Sequence, residues 1–166
     1  MSKTFKQLNI GRDKPTFIIA EAGINHNGDL DTALRLVEAA KTAGASAIKF
    51  QTYVTEKRVA SDSPIFGILK QCELSPDLQR KIKERADRLG ILFFSTPFDP
   101  ESVKFLEEIK VPLMKIASFD IVNKKLLDAV ARVGIPTIIS RGMADKSEID
   151  TAIQIFGKAR TEFAVL

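Results

Sequence analysis

The stretch from Phe17 to Thr52, FIIAEAGINHNGDLDTALRLVEAAKTAGASAIKFQT, carries the pattern that decides the fold. Phe17-Ile18-Ile19-Ala20-Glu21 is a short β-branched and aromatic run and predicts a strand. Asn25-His26-Asn27-Gly28 reads as a polar turn, after which Asp29 or Asp31 can cap a helix. Leu30, Ala33, Leu34, Val37 and Ala40 then share one helical face, and Gly44 ends the helix. Ser46 to Thr52 predicts a second strand. Strand, helix and strand joined by short links make a parallel βα unit.

The alternation continues along the chain. After a longer polar connection, Val54 to Gln71, a helix near Ser75 to Leu89 is opened by Ser75-Pro76 and closed by Gly90. Ile91 to Ser95, Pro112 to Ser118, Ile135 to Ser140 and Glu162 to Leu166 predict four more strands. Helices are predicted over Pro100 to Ile109, Lys124 to Val133 and Lys146 to Lys158. The strands are nearly all apolar, as expected when both sheet faces are covered. No linker divides residues 1–166, so the sequence predicts a single α/β domain of about six parallel strands and five helices. A complete eight-stranded βα barrel takes about 250 residues, so six strands mean an open sheet or a partial barrel. The polar residues at the strand ends favour the partial barrel.

Composition narrows the function classes. With 45% hydrophobic and 28% charged residues the chain has the makeup of a globular protein rather than a disordered one. No apolar run approaches the roughly 20 residues of a membrane span, and Met1 to Lys6 lead into polar sequence rather than a signal core. The single cysteine, Cys72, rules out an internal disulfide framework and cysteine-cluster zinc, and suits a reducing cytoplasm. A net charge of +4, spread along the chain, fits an anionic small molecule at least as well as a nucleic acid.

Side chains alternate faces along a strand. Ile48 and Phe50 are expected to face the helices, with Lys49 and Gln51 on the other side. Met114 and Ile116 likewise flank Lys115, and Ile19 shares a side with Glu21. Three strands thus send an ionisable residue inward near the ends that carry active sites in such folds. An internal Glu21–Lys49 or Glu21–Lys115 ion pair that only holds the fold is one reading, since buried charges need partners. The other is a site, because hydroxyls of Thr52, Ser95-Thr96, Ser118 and Ser140 accompany the charges. Two lysines with hydroxyl and backbone donors suit a ligand bearing two anionic groups, such as a phosphate and a carboxylate. Arg141-Gly142 can add a phosphate contact, Asp120 can bind sugar hydroxyls or cap a helix, and His26, without a partner, is a ligand, an acid–base group or structural. Cys72 has no adjacent base and is expected to be inert.

The run Phe17 to Gly28 resembles the opening motif of the sialic acid synthase family, which includes legionaminic and pseudaminic acid synthases. The resemblance extends through Ile48-Lys49-Phe50-Gln51-Thr52, Cys72-Glu73-Leu74-Ser75, Phe94-Ser95-Thr96-Pro97-Phe98-Asp99, Lys115-Ile116-Ala117-Ser118 and Ile139-Ser140-Arg141-Gly142-Met143. It implies a TIM-barrel synthase that condenses phosphoenolpyruvate with an N-acetylated amino sugar, N-acetylmannosamine or a relative, into a nine-carbon 2-keto acid with release of phosphate. It further implies phosphoenolpyruvate contacts at Lys49, Thr96, Lys115, Ser118 and Ser140, sugar contacts at Gln51 and Asp120, and a catalytic carboxylate at Glu21. A divalent metal, typically manganese, and a homodimer completed by a C-terminal antifreeze-like domain belong to the same picture.

The chain departs from the family pattern at two positions, Arg141 and Asp120. Arg141 stands where members usually carry Thr, Asp120 where several carry Glu, and Ala117-Ser118-Phe119-Asp120 is similar to pseudaminic-type synthases. The two metal histidines that the resemblance implies belong to seventh and eighth strands, so the metal ligands are expected outside this chain. The chain is accordingly expected to be the N-terminal part of a larger synthase, with little or no activity alone. A Schiff-base lysine aldolase using Lys115 or Lys49 on a pyruvate-type keto acid is a competing expectation, and a non-catalytic anion-binding module a third.

Overall fold

A computed structural model describes residues 3–166. Six strands, β1 (Ile19–Gly23), β2 (Ala47–Thr52), β3 (Leu92–Pro97), β4 (Met114–Ile116), β5 (Thr137–Ile139) and β6 (Phe163–Val165), pair in parallel in chain order. Doubly wound sheets reverse their strand order at a switch point, whereas this sheet never does. That is the winding of a βα barrel, here an open, partial one. Both β1 and β6 are free edges among the described residues, with Ile18, Val165 and Leu166 exposed there.

Seven α-helices accompany the sheet: α1 (Leu30–Thr42), α2 (Thr55–Arg58), α3 (Phe66–Gln71), α4 (Pro76–Leu89), α5 (Pro100–Glu108), α6 (Lys124–Val133) and α7 (Lys146–Ala159). The expected count of five is corrected upward because the Val54 to Gln71 connection folds into α2 and α3. The long helices begin where their caps dictate. Asp29 accepts the Thr32 amide, Ser75 the Leu78 amide and Asp99 the Ser102 amide, each satisfying a donor the first turn leaves free. Pro76 and Pro100 occupy the first turn, where a missing N–H costs nothing.

Period-two alternation divides the core. Ile48, Phe50, Phe93, Met114, Ile116 and Ile139 pack against the helices. On the opposite face Ala47, Phe94, Leu113 and Ile138 meet Phe5 and Leu8, which come from the segment preceding β1. The Phe5 amide is held there by the Glu162 carboxylate at 2.6 Å. The lower end of the inner face is therefore apolar and filled. Its upper end is where the charged residues emerge.

Candidate active site

Strand alternation places the upper inner residues. In the paired registers Glu21 stands beside Lys49, Gln51 beside Thr96 and Lys115 beside Ile138. A cleft of about 250 Å³ at this end is lined by Glu21, Lys49, Gln51, Thr96, Lys115, Ser118 and Ser140, with Arg58, Phe98, Ala117 and Phe119 completing the wall. Seven of the nine residues expected at the site thus meet in one cleft. Asp120 and Arg141 are not part of its lining.

Lys49 donates to the Glu21 carboxylate at 2.7 Å and to Thr96 Oγ1 at 3.2 Å. The ion pair expected from sequence exists, but it is lopsided. Lys49 is buried, whereas the Glu21 side chain is 56% exposed at the sheet edge. Lys115 instead donates to the Ile116 carbonyl at 2.7 Å and to the Ser140 hydroxyl. Burial, reinforced by the neighbouring Lys49 charge and opposed by Glu21, lowers the Lys115 pKa to about 8.

Asp120 ends a 3-10 turn, Ser118–Asp120, and is only 8% exposed. Burial raises its pKa, against the hydrogen bond from Asn123 and the charge of Arg58. Its Oδ1 accepts from Asn123 and its Oδ2 has no protein partner. A buried carboxylate oxygen without a donor is costly. Arg141, expected to add a phosphate contact, is exposed and lies outside the cleft lining. Its Gly142 neighbour lies close to Ser118, where an added Cβ would come within 3.4 Å of Ser118 Cβ.

The hydroxyls sort by strand face, which corrects the grouping expected from sequence. Thr52 and Ser95 turn toward the helices: Thr52 donates to Gln79 Oε1 at 2.7 Å and lies 2.7 Å from Ser95 Oγ. His26 also points away from the cleft. It is buried, packs on Phe50, and its Nδ1 accepts the Gly28 amide at 3.0 Å. Burial lowers its pKa, against a hydrogen bond to the Gly23 backbone. Cys72 is buried.

Sequence reading missed Arg58. It ends α2, donates to Gln51 Oε1 at 3.0 Å, and lays its guanidinium 3.8 Å from the Phe98 ring centre and 4.5 Å from that of Tyr53. The available signal was an arginine seven residues after Gln51 in a connection whose structure carried no clear period.

Glu21 is the one carboxylate lining the cleft, and among the described residues no three His, Cys, Asp or Glu side chains form a metal-binding group. These residues alone do not make a metal centre. No helix among them is long and apolar enough to cross a membrane.

Residues 36–166 match the NeuB family. The chain is similar to the N,N'-diacetyllegionaminic acid synthase of Legionella pneumophila, with 40% identity over 94% of this chain and 49% of the relative. It is also similar to the pseudaminic acid synthase of Campylobacter jejuni, at 34% identity over 89% of this chain and 47% of that protein. A crystal structure of N-acetylneuraminic acid synthetase from Leptospira borgpetersenii overlays with a TM-score of 0.89 at 46% identity, over 92% of this chain and 53% of that one. The chain spans about half the length of the curated relatives it matches.

Proposed function

The chain belongs to the NeuB family, and on that premise we propose that it supplies the phosphoenolpyruvate-binding part of a synthase site. The reaction joins phosphoenolpyruvate to an N-acetylated amino sugar, N-acetylmannosamine or a relative, giving a nine-carbon sialic-type 2-keto acid and phosphate. The observation that carries the reading is the convergence of Lys49, Lys115, Thr96, Ser118 and Ser140 on one cleft beside Glu21. Two ammonium groups and three hydroxyls answer a ligand with a phosphate at one end and a carboxylate at the other.

In this reading the lysines and hydroxyls hold phosphoenolpyruvate with its methylene carbon turned to the sugar aldehyde. Holding the two reactants in contact replaces an encounter with an intramolecular step. The methylene carbon bonds to the aldehyde carbon, whose oxygen keeps the carbonyl π pair and takes a proton to become a hydroxyl, and the cationic carbon left behind takes the oxygen of a water. Glu21 accepts the water's proton; Lys49 engages its Oε2 and leaves Oε1 for that task. The carbon–oxygen bond to phosphate then breaks, the electron pair leaving with phosphate, while the hydroxyl that came from the water gives up its remaining proton and becomes the keto oxygen. Lys115 and Lys49 offset the charge that gathers there.

A divalent metal, proposed as manganese, would polarise the aldehyde and take its ligands from outside residues 3–166. The 166-residue chain alone is proposed to turn over little or nothing. A cytoplasmic homodimer for the whole protein is part of the same proposal.

The test supplies the full-length gene product with phosphoenolpyruvate, manganese and N-acetylmannosamine or modified amino sugars, and measures phosphate. Release that requires both sugar and metal is expected. The lowered pKa of Lys115 favours one second reading, a Schiff-base aldolase, because a neutral amine is the nucleophile such an enzyme needs. A borohydride-trapped pyruvate adduct on Lys115, with no phosphate release, would select it.

A further inference from the structure

Arg58 lines the cleft but is not among the groups proposed to hold phosphoenolpyruvate, and a hydrogen bond and two aromatic faces hold its side chain. Its helix α2 is anchored from both sides. The Glu73 carboxylate accepts the amide and hydroxyl of Thr55, and the Asp99 carboxylate accepts the Val54 amide at 3.1 Å. The aromatic surface beneath the guanidinium is fixed as well, since the Tyr53 hydroxyl donates to the Leu69 carbonyl at 2.9 Å and Phe98 is buried. Stacking on aromatic faces holds a guanidinium without consuming its N–H groups. Burial works against its charge, which Tyr53 and Asp120 help to retain. No carboxylate lies within ion-pair distance of it among the described residues.

A guanidinium can only donate. The group it meets on Gln51 must therefore be the amide oxygen, and the 3.0 Å bond to Oε1 fixes which way that amide is turned. The amide nitrogen is left on the other side. A Cβ added at Gly23 would lie 3.8 Å from Gln51 Nε2 and 3.5 Å from Glu21 Oε1, so the nitrogen borders the same point beside Gly23 as the Glu21 carboxylate.

We propose that Arg58 is a positioning residue that locks the Gln51 side chain with its N–H group toward the amino sugar, so that Gln51 reads a hydrogen-bond-accepting oxygen there. The inference rests on the proposed synthase reading, in which Gln51 touches the sugar. A free glutamine amide offers an acceptor or a donor by turning over; one pinned by arginine offers only the donor. The sugar then binds a site already set for it, with no amide rotor to freeze.

The test uses the full-length gene product and steady-state phosphate release. Arg58→Leu keeps an apolar stem on Phe98 and Tyr53 but removes the donor. Its KM for the sugar is expected to rise about tenfold, the size of one charge-assisted hydrogen bond. The KM for phosphoenolpyruvate and the saturated kcat should stay within about twofold, because the arginine acts on sugar binding alone. Arg58→Lys, which restores a donor, should recover most of the loss. Arg58→Leu combined with Gln51→Leu should be no worse than Gln51→Leu alone, since both break one chain of contacts.

Gln51→Glu probes the same role even where Arg58→Leu does not fold. It should strengthen the pairing with Arg58 and melt no lower than the parent, yet raise the sugar KM at least as much, by replacing the inward donor with an acceptor. Additive losses in the double variant, an equal rise in the phosphoenolpyruvate KM, or an unchanged sugar KM in Gln51→Glu would each overturn the positioning role while leaving the synthase intact. A parent protein that releases no phosphate with any sugar would take down both.

Discussion

Lys49 on β2 and Lys115 on β4 rise from the same face of the sheet toward the same end, and their surroundings differ. Lys49 meets the Glu21 carboxylate at 2.7 Å and the Thr96 hydroxyl. Lys115 meets a backbone carbonyl and the Ser140 hydroxyl, both neutral. The charge on Lys49 is balanced within the protein, whereas the charge on Lys115 is desolvated and repelled by Lys49. A half-buried cation whose hydrogen-bond partners are all neutral is costly to the fold. In the proposed function, that cost is recovered when an anion arrives. On the proposed synthase reading, Lys115 is thus the group most dependent on ligand charge, and Lys49 serves equally to orient Glu21.

That contrast sets the largest expected effect. In calorimetric titration of the full-length gene product, Lys115→Met should weaken phosphoenolpyruvate binding about 100-fold, the scale of losing one partner of a desolvated charge pair. Lys49→Met should cost about tenfold in the same titration, because removing it also frees the Glu21 carboxylate near the ligand. Equal losses, or the reverse order, would mean that the unequal surroundings of the two lysines do not govern anion binding.

The pH dependence is expected to be next in size. Lys115 has its folded pKa lowered to about 8 from an ordinary 10.5. Between those values the unfolded chain holds a proton that the folded chain has lost, so stability rises with pH across that window. Below about pH 8 both states are protonated and the full cost of the half-buried charge is present. Anion binding favours the charged amine, so above pH 8 it must take up a proton. Phosphoenolpyruvate affinity should then fall toward about tenfold per pH unit. Lys115→Met should flatten both profiles, and a parent affinity that is level from pH 7 to 10 would remove the distinction between the two lysines.

The face on which these lysines lie was legible in the sequence, and the difference between them was not. Alternation in Ile48-Lys49-Phe50-Gln51 and Met114-Lys115-Ile116 is a property of the strand and needs no tertiary information. The caps Asp29 and Ser75 were legible for the same reason, because they act within one turn. The partner of each lysine depends instead on which neighbouring strand carries a carboxylate at that level, and only the register of β1 on β2 decides it. Arg58 escaped because α2 has only four residues, too few for a hydrophobic period, and its position is set by Glu73 and Asp99 from elsewhere in the chain. The placement of Phe5 and Leu8 beneath the sheet was hidden too, since their partners lie on β2 to β5.

The hydroxyls carry the smaller effects and follow the same division by strand face. Ser140→Ala removes a neutral acceptor from Lys115 and should weaken phosphoenolpyruvate binding about threefold, with Thr96→Val somewhat less because Lys49 keeps Glu21. Thr52 stands one residue beyond Gln51 but faces α4, where it donates to Gln79 while Gln79 Nε2 donates to the Leu74 carbonyl at 3.0 Å. Thr52→Val strands the buried Gln79 oxygen and should lower stability by about 1–2 kcal/mol in urea titration. Phosphoenolpyruvate affinity should not change at all. A Thr52→Val protein that keeps its stability but binds the ligand worse would place that hydroxyl in the cleft, and strand parity would no longer account for the site.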